Sequence, residues 1–242
     1  MLNCYKITDK GSRHANEDSL GCFENGDNRC FIVCDGLGGH GMGDIASQLV
    51  VEVFESQFKQ TNDLADFLPA AFEASQSILL SEQAERGAKR KMKTTAAALA
   101  ADGKHAYIGH VGDSRVYVFY KNKVKRRTLD HSIPQMLALS KEIKESEIRF
   151  HPDRSFVLRV MGVDWEEPMY ELLPPEKLKK CQAFLLCSDG FWEWIDEAEM
   201  CSLLRETDSA EEWLRRMTER VVKNAEGSDM DNYSAIAVWN TR

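Results

Sequence analysis

The feature that most constrains the fold is a pair of short apolar runs that end in the same way. Residues 31–36 read Phe-Ile-Val-Cys-Asp-Gly, and residues 184–190 read Phe-Leu-Leu-Cys-Ser-Asp-Gly. Each run is long enough for a buried strand and stops at an aspartate followed by glycine. A carboxylate at the end of a buried strand needs a partner, because desolvating an unpaired charge is costly. The runs therefore indicate a cluster of carboxylates, including Asp35 and Asp189, around a divalent metal.

The composition fits one globular domain spanning residues 1–242. With 43% hydrophobic side chains, the chain can bury a substantial core. Its net charge of −8 argues against general nucleic-acid binding, which gains affinity by neutralising phosphates. No apolar stretch approaches the length of about 18 residues that spans a membrane, and the first residues lack the apolar core of a signal peptide. We expect neither a nucleic-acid partner nor a membrane segment.

The cysteines indicate the cellular compartment. There are seven, no pair has Cys-x-x-Cys spacing, and Cys34 and Cys187 lie inside the two apolar runs. Reduced, buried thiols of this kind are typical of cytoplasmic proteins. We expect a cytoplasmic location.

Periodicity predicts an α+β fold. Strands are expected near residues 3–8, 19–24, 29–35, 94–101, 105–111, 114–120, 123–128, 169–173, 182–188 and 233–239. Helical spacing covers residues 42–59, 64–86, 197–206 and 209–225, and the segment 131–160 is predicted to mix short helices and loop. Because short turns join the strands and the helices come in consecutive pairs, we expect antiparallel sheet covered by helix pairs.

Five turns carry aspartate beside small residues. They lie within residues 13–18, 35–44, 109–115, 188–190 and 227–232. Any one of them alone is an ordinary surface turn. As a set, they supply the oxygen ligands that Mg²⁺ and Mn²⁺ prefer. Two such ions about 3.5–4 Å apart can polarise a water and stabilise displacement at phosphorus.

These turns belong to ordered blocks that resemble the PPM/PP2C-type serine/threonine protein phosphatases, in the single-domain form common in bacteria. The blocks read RHANED, VCDGLGGHGMGD, KTTAAAL, HVGDSRVY, LDHS, LCSDG and DMDNYSAIAV, and the match runs from about Lys6 to Trp239. The resemblance implies a sandwich of two antiparallel β-sheets flanked by pairs of α-helices. The metals would lie in the cleft between the sheet edges.

The resemblance also implies a metal-ligand set. Asp35 would bridge two Mn²⁺ or Mg²⁺ ions, and the carbonyl of Gly36 would complete one site. Asp189 and Asp231 would complete the other. Asp113 would belong to a third, weaker metal position that also uses Asp189.

The resemblance implies roles for three further residues. Glu17 and Asp18 would hold metal-bound waters, and Arg13 would bind the substrate phosphate, which a planar guanidinium can grip through two oxygens. Asp229 competes with Asp231 for the ligand role. Asp231 is preferred because an asparagine and the closing strand follow it.

The chain departs from the family pattern at two positions near the cleft. Some members carry a histidine directly after the Asp-Gly pair, suspected of protonating the leaving group, whereas this chain has Leu37. His40 is read as a loop residue, so the general acid stays unassigned, with a metal-bound water as an alternative. Lys93 replaces a small residue before the Thr-Thr pair; it either favours acidic phosphopeptides or is a solvated lysine.

The flap that relatives use for substrate selectivity corresponds to residues from about 140 to 160. Here it is short and carries Arg149, Arg154 and Arg159, which either contact substrate phosphate or face solvent. The histidines show no metal-binding spacing and are read as structural.

The implied activity is hydrolysis of phosphoserine and phosphothreonine in proteins by direct attack of a metal-bridging hydroxide, without a phosphoenzyme. The expected partners are phosphorylated proteins, the targets of a cognate serine/threonine kinase, and the expected oligomeric state is a monomer. A cysteine-based phosphatase is excluded because no cysteine is followed six positions later by arginine, and a P-loop enzyme because GxxxxGK[ST] is absent. The remaining rival is a pseudophosphatase that binds phosphoprotein without turnover.

Overall fold

Two antiparallel sheets form the centre of the structure, a computed structural model that describes residues 2–37, 41–61 and 63–240. Within those ranges the strands are Leu2–Asp9 (β1), Ser19–Asn25 (β2), Asn28–Cys34 (β3), Gly36–Leu37 (β4), Lys93–Thr94 (β5), Ala96–Ala101 (β6), His105–Val111 (β7), Arg115–Tyr120 (β8), Lys123–Arg127 (β9), Glu171–Lys177 (β10), Gln182–Cys187 (β11) and Tyr233–Asn240 (β12). The first sheet has the order β1-β12-β11-β8-β9 and the second β10-β7-β6-β3-β2, while β4 and β5 pair separately. The predicted α+β class is confirmed.

The helices cover the outer faces of both sheets. They are Gly43–Gln60 (α1), Phe67–Glu85 (α2), Ile133–Leu139 (α3), Asp189–Trp192 (α4), Glu197–Arg205 (α5) and Ala210–Asn224 (α6), with a 3₁₀ helix at Glu145–Phe150. Ser132, Asp196 and Ser209 cap α3, α5 and α6 by accepting a hydrogen bond from the backbone three residues on. No helix in the described ranges is long and apolar enough to cross a membrane.

The unbroken apolar runs at β3 and β11 are explained by burial on both faces. In β3, Phe31 and Val33 pack in the layer between the two sheets, whereas Ile32 and Cys34 pack against α1 and α2. In β11, Phe184 faces the other sheet and its neighbours face α5 and α6. Because side chains alternate between faces, a strand covered on both sides needs apolar residues at every position.

The predicted flap holds the 3₁₀ helix and is tied down at its base. Arg149 is 10% exposed and donates hydrogen bonds to the carbonyls of Trp192 (2.6 Å) and Ile195 (2.8 Å). Both alternatives for this arginine are therefore wrong, because it neither faces solvent nor is free for phosphate. Arg154 pairs with Glu193 at 2.8 Å, and Arg159 is exposed.

A buried ion pair fixes the turn between β7 and β8. The Arg115 guanidinium donates to both oxygens of Asp130 (2.8 and 2.6 Å) and lies 3.4 Å from the ring centroid of Trp192. Burial opposes ionisation of Asp130, but the charge of Arg115 and its hydrogen bonds outweigh that effect and lower the pKa of the carboxyl. The pair thereby fixes the start of β8, two residues after Asp113.

Replacing Asp130 with asparagine should lower the free energy of unfolding by about 3–5 kcal/mol, because it leaves the buried Arg115 charge with only Glu197, at 4.0 Å, as an acidic partner. Urea unfolding measures the loss. The matched control is Glu211→Gln, which breaks an exposed helical pair with Arg215 and should cost less than about 0.5 kcal/mol. Equal losses in the two variants would contradict this role of the buried pair.

Candidate metal centre

Five aspartates from separate elements meet at one end of the sandwich. Asp35 directly follows β3, and Asp189 opens α4 just after β11. Their carboxyl groups are neighbours, and each changes the pKa of the other. The remaining three lie at the turns before β2, β8 and β12, and their charges act on Asp35; they are Asp18, Asp113 and Asp231. The structure therefore brings together the acids that the sequence pattern singled out.

Two threonines hold the backbone of Asp35 in place. The Thr94 hydroxyl donates to the Asp35 carbonyl at 2.8 Å, and the Asp35 amide donates to the Thr95 hydroxyl at 3.1 Å. The Thr95 amide also donates to the Asp35 carbonyl, at 2.8 Å. This explains the two threonines of the Lys-Thr-Thr segment, which consists of β5 and the single residue between β5 and β6.

Glycines allow the loops that carry the acids to approach one another. A Cβ on Gly36 would overlap the carbonyl of Gly43, and the Gly36 amide donates to the Glu17 carbonyl at 3.2 Å. A Cβ on Gly190 would overlap the carbonyl of Asn232. Gly190 thus lets the Asp189 turn lie directly against the turn that carries Asp231.

Desolvation and the repulsion between neighbouring carboxylates raise the pKa values of these acids. Desolvation, followed by the charges of neighbouring aspartates, raises the pKa of Asp35 and of Asp113 well above the usual range. Desolvation raises the pKa of Asp18 to about 7 and that of Asp189 to about 6. Asp35 and Asp189 remain partly exposed at the mouth of the cleft, while Asp18 and Asp113 are buried.

The buried oxygens fit a divalent metal ion. Among the described atoms, neither carboxyl oxygen of Asp113 has a hydrogen-bond partner, and one oxygen of Asp18 has none. The other Asp18 oxygen accepts from the Ser188 hydroxyl at 2.8 Å. Desolvated carboxylate oxygens without donors are costly, and a hard cation that prefers oxygen ligands would satisfy them.

Arg13 lies at the rim of this cluster. Its guanidinium donates to both oxygens of Asp231 (3.0 and 3.0 Å), and it contacts Asp229 at 3.4 Å. Asp229 is 77% exposed, whereas Asp231 is among the acids that raise the pKa of Asp35. The arginine is thus held by one of the aspartates expected to bind metal.

Two polar residues that the sequence analysis missed organise the segment around Glu17. The Asn232 side chain accepts from the Glu17 amide (2.8 Å) and donates to the carbonyls of Lys10 and Ala15 (2.9 Å each). The Ser188 hydroxyl donates a hydrogen bond to Asp18, the residue after Glu17. Desolvation, followed by the charges of Asp44 and Asp231, raises the pKa of Glu17.

Glu193 is a further acid that the sequence analysis passed over. Desolvation, followed by the charge of Asp189, raises its pKa to about 7, although it pairs with Arg154. It lies one turn after Asp189. That spacing is the signal that could have identified it, since residues four apart share a helix face.

The structure also brings two histidines together that are far apart in sequence. The rings of His110 and His131 are 4.6 Å apart, and Glu171 completes a group with ligand atoms within 4.8 Å of one another. However, the Gly112 amide donates to Nδ1 of His131 at 3.1 Å, so neutral His131 carries its proton on Nε2. That protonated nitrogen lies 3.7 Å from a Glu171 carboxyl oxygen and has no lone pair for a cation, so the group fits a metal site poorly.

The positions that depart from the family pattern lie beside Asp35. Leu37 in β4 pairs with Lys93 in β5, so the lysine is near the cleft rim. Lys93 also lines a surface cavity of about 590 Å³ together with Lys89 and Arg90. His40 lies outside the described residues.

Comparison with known proteins identifies the family. A family model described as Protein phosphatase 2C matches residues 10–232. The serine/threonine phosphatase stp of Listeria welshimeri is 33% identical over 214 residues, which cover 85% of this chain and 84% of that protein. Serine/threonine phosphatase Stp1 from Staphylococcus aureus has a TM-score of 0.89 at 28% identity, covering 99% of this chain and 95% of that one. This chain therefore belongs to the protein phosphatase 2C family.

A further solved structure bears on the fold alone. The catalytic domain of the phosphatase PstP, solved in complex with two manganese ions, has a TM-score of 0.83 at 24% identity and covers 98% of this chain and 97% of that one.

The raised pKa values predict that removing a carboxylate stabilises the metal-free protein. Asp189 holds its proton up to about pH 6 when folded, against an ordinary value of 3.8, so between these values the folded state binds more protons than the unfolded state. Stability contributed by Asp189 is therefore lost as pH rises through this window. In EDTA, Asp189→Asn should gain about 2 kcal/mol relative to wild type between about pH 4 and pH 7, measured by urea unfolding.

Asp208→Asn, which changes an exposed aspartate, is the matched control and should show no such gain. With Mn²⁺ present, the order should reverse, because wild type gains binding free energy that Asp189→Asn lacks. A difference in the free energy of unfolding between Asp189→Asn and wild type that stays constant across this pH range would contradict this prediction.

Proposed function

We propose that this protein is a metal-dependent serine/threonine protein phosphatase that hydrolyses phosphoserine and phosphothreonine in other proteins. The observation that carries the proposal is the convergence of Asp35, Asp113, Asp189 and their neighbours at one end of the sandwich. Membership of the protein phosphatase 2C family and the names of the relatives support the same activity.

The proposed metal ligands are the Asp35, Asp189 and Asp231 carboxylates and the Gly36 carbonyl. They would hold two Mn²⁺ or Mg²⁺ ions, with Asp113 and Asp189 contributing to a third, weaker position. The buried, donor-free oxygens of Asp113 and the proximity of the Asp35 and Asp189 carboxyl groups support this ligand set. When bound, divalent ions supply Lewis-acid chemistry that makes water a stronger nucleophile and offsets negative charge on a phosphoryl group.

The surrounding residues would orient water and substrate. Asp18 keeps one oxygen free while Ser188 holds the other, so the carboxylate is oriented to accept a hydrogen bond from water. Glu17 would do the same from a backbone held by Asn232. Arg13 would bind two phosphate oxygens. Its two hydrogen bonds to the Asp231 carboxylate support this role, because a phosphate presents a similar pair of oxygens to a guanidinium.

Direct hydrolysis, without a phosphorylated enzyme, agrees with the residues of the cluster. No cysteine in the sequence has an arginine six positions later, so the thiol–arginine arrangement of cysteine-based phosphatases is absent. Neither His40 nor Leu37 is assigned as a general acid.

The proposed setting is the cytoplasm, with phosphorylated targets of a serine/threonine kinase as substrates. Seven free thiols support this location, because disulfides are rare in reducing compartments. The chain would act as a monomer, since every proposed ligand comes from one copy of the chain.

Release of phosphate from a phosphothreonine peptide tests the proposal. Wild type with Mn²⁺ should turn over, EDTA should abolish the activity, and Asp189→Asn should lower kcat about a hundredfold or more, because a ligand to the ions is lost. The matched control Asp208→Asn should retain wild-type activity.

Two outcomes would contradict the proposal. EDTA-insensitive turnover would exclude metal-dependent hydrolysis. Absence of turnover on several phosphopeptides by folded protein that binds Mn²⁺ would indicate a pseudophosphatase.

A further inference from the structure

Two thiols face each other at the open edge of the sandwich, away from the residues assigned above. Strand β1 is the edge of the first sheet and β2 is the edge of the second, and the two strands are in contact. Cys4 lies near the start of β1 and Cys22 lies in the middle of β2. Because β1 and β2 are in contact, the two thiol groups are neighbours across the gap between the sheets, and each changes the pKa of the other.

Strand alternation explains why these side chains meet. In β1, Tyr5 and Ile7 pack against the helix layer, whereas Leu2 packs against the core between the sheets. Because side chains two apart share a face, Cys4 points to the same side as Leu2. Cys22 also packs against the core between the sheets. The backbone therefore directs both sulfurs into the same gap.

The two thiols differ in exposure and acidity. Cys4 is exposed, and the hydrogen bond from Cys22 lowers its pKa to about 7, with Lys6 and Arg29 adding smaller effects in the same direction. Cys22 is half-buried, and its hydrogen bond to Cys4, together with burial, raises its pKa. An accessible thiolate beside a second, protonated thiol is the arrangement of a reactive cysteine and its resolving partner.

We propose that Cys4 and Cys22 form a redox modification site, at which a hydroperoxide converts the two thiols to a disulfide that links the two sheets and a dithiol reductant restores them. This site is independent of the proposed phosphatase activity. A transient, redox-sensing disulfide is the kind that reducing compartments allow.

The chemistry balances in two steps. The Cys4 thiolate attacks a peroxide oxygen, so that an S–O bond forms, the O–O bond breaks, and the sulfur becomes a sulfenic acid as the peroxide is reduced to hydroxide or alkoxide. The Cys22 sulfur then attacks the Cys4 sulfur. The S–S bond forms, the S–O bond breaks, and the leaving hydroxyl takes the Cys22 proton and departs as water.

The disulfide would close a loop that carries three residues proposed to orient water and substrate beside the metal ligands. The chain between Cys4 and Cys22 includes Arg13, Glu17 and Asp18. Closing this loop removes conformational freedom from the unfolded chain, which raises the thermal stability of the oxidised protein.

The test exposes the reduced, full-length chain to a small excess of hydrogen peroxide and maps the cysteines by mass spectrometry. The expected product is a peptide pair linked through Cys4 and Cys22, lighter by two hydrogen atoms and separated again by dithiothreitol. Oxidation should also raise the Tm by roughly 5–10 °C. Cys4→Ser and Cys22→Ala should each abolish the linked pair and the rise in Tm.

Cys181→Ser is the matched control, because Cys181 is also exposed but lies elsewhere, and this variant should oxidise as wild type does. In wild type, Cys4 should react about tenfold faster than Cys181 with a thiol-alkylating reagent. The proposal is overturned if Cys4 oxidises without linking to Cys22, or if Cys4 and Cys181 react equally fast. The test does not measure phosphatase activity, so its result does not depend on whether the proposed function is correct.

Discussion

Mutual repulsion among desolvated carboxylates is the constraint on which the rest of this structure depends. Asp18, Asp35, Asp113 and Asp189 lie close enough to act on one another, and burial removes part or all of the water around each of them. In the metal-free state, part of this negative charge is neutralised by protons, as the raised pKa values indicate. Without cations, this repulsion lowers the stability of the folded protein, and bound divalent ions would offset it.

The two-sheet sandwich can hold this arrangement because the acids lie at strand ends and the strands themselves are apolar. Burial on both faces fixes β3 and β11, which deliver Asp35 and Asp189 to the same end of the molecule. The Thr95 hydroxyl accepts a hydrogen bond from the Asp35 amide, and the Ser188 hydroxyl donates one to Asp18. The buried Arg115 fixes the turn that carries Asp113. Stability is therefore concentrated in the sheets and helices, while the turns bear the electrostatic cost.

Much of this could be predicted from the sequence, because apolar runs ending in Asp-Gly mark strand ends whatever the topology. The α+β class and nearly all strand positions follow from periodicity, whereas the pairing of the sheets came from family resemblance. Contacts between distant segments could not be predicted. Arg149 bonding the carbonyl of Trp192, and His110 meeting His131, depend on how loops fold back, which local pattern does not encode. The hydrogen bond between Arg13 and Asp231 could not be predicted for the same reason.

The most direct test of the account is a crystal structure of the Mn²⁺-loaded protein with anomalous scattering data collected at the manganese edge. We expect two strong anomalous peaks in contact with Asp35, one shared with Asp189. Peaks at His110, His131 and Glu171, with none beside Asp35, would show that the clustered aspartates are not the metal ligands.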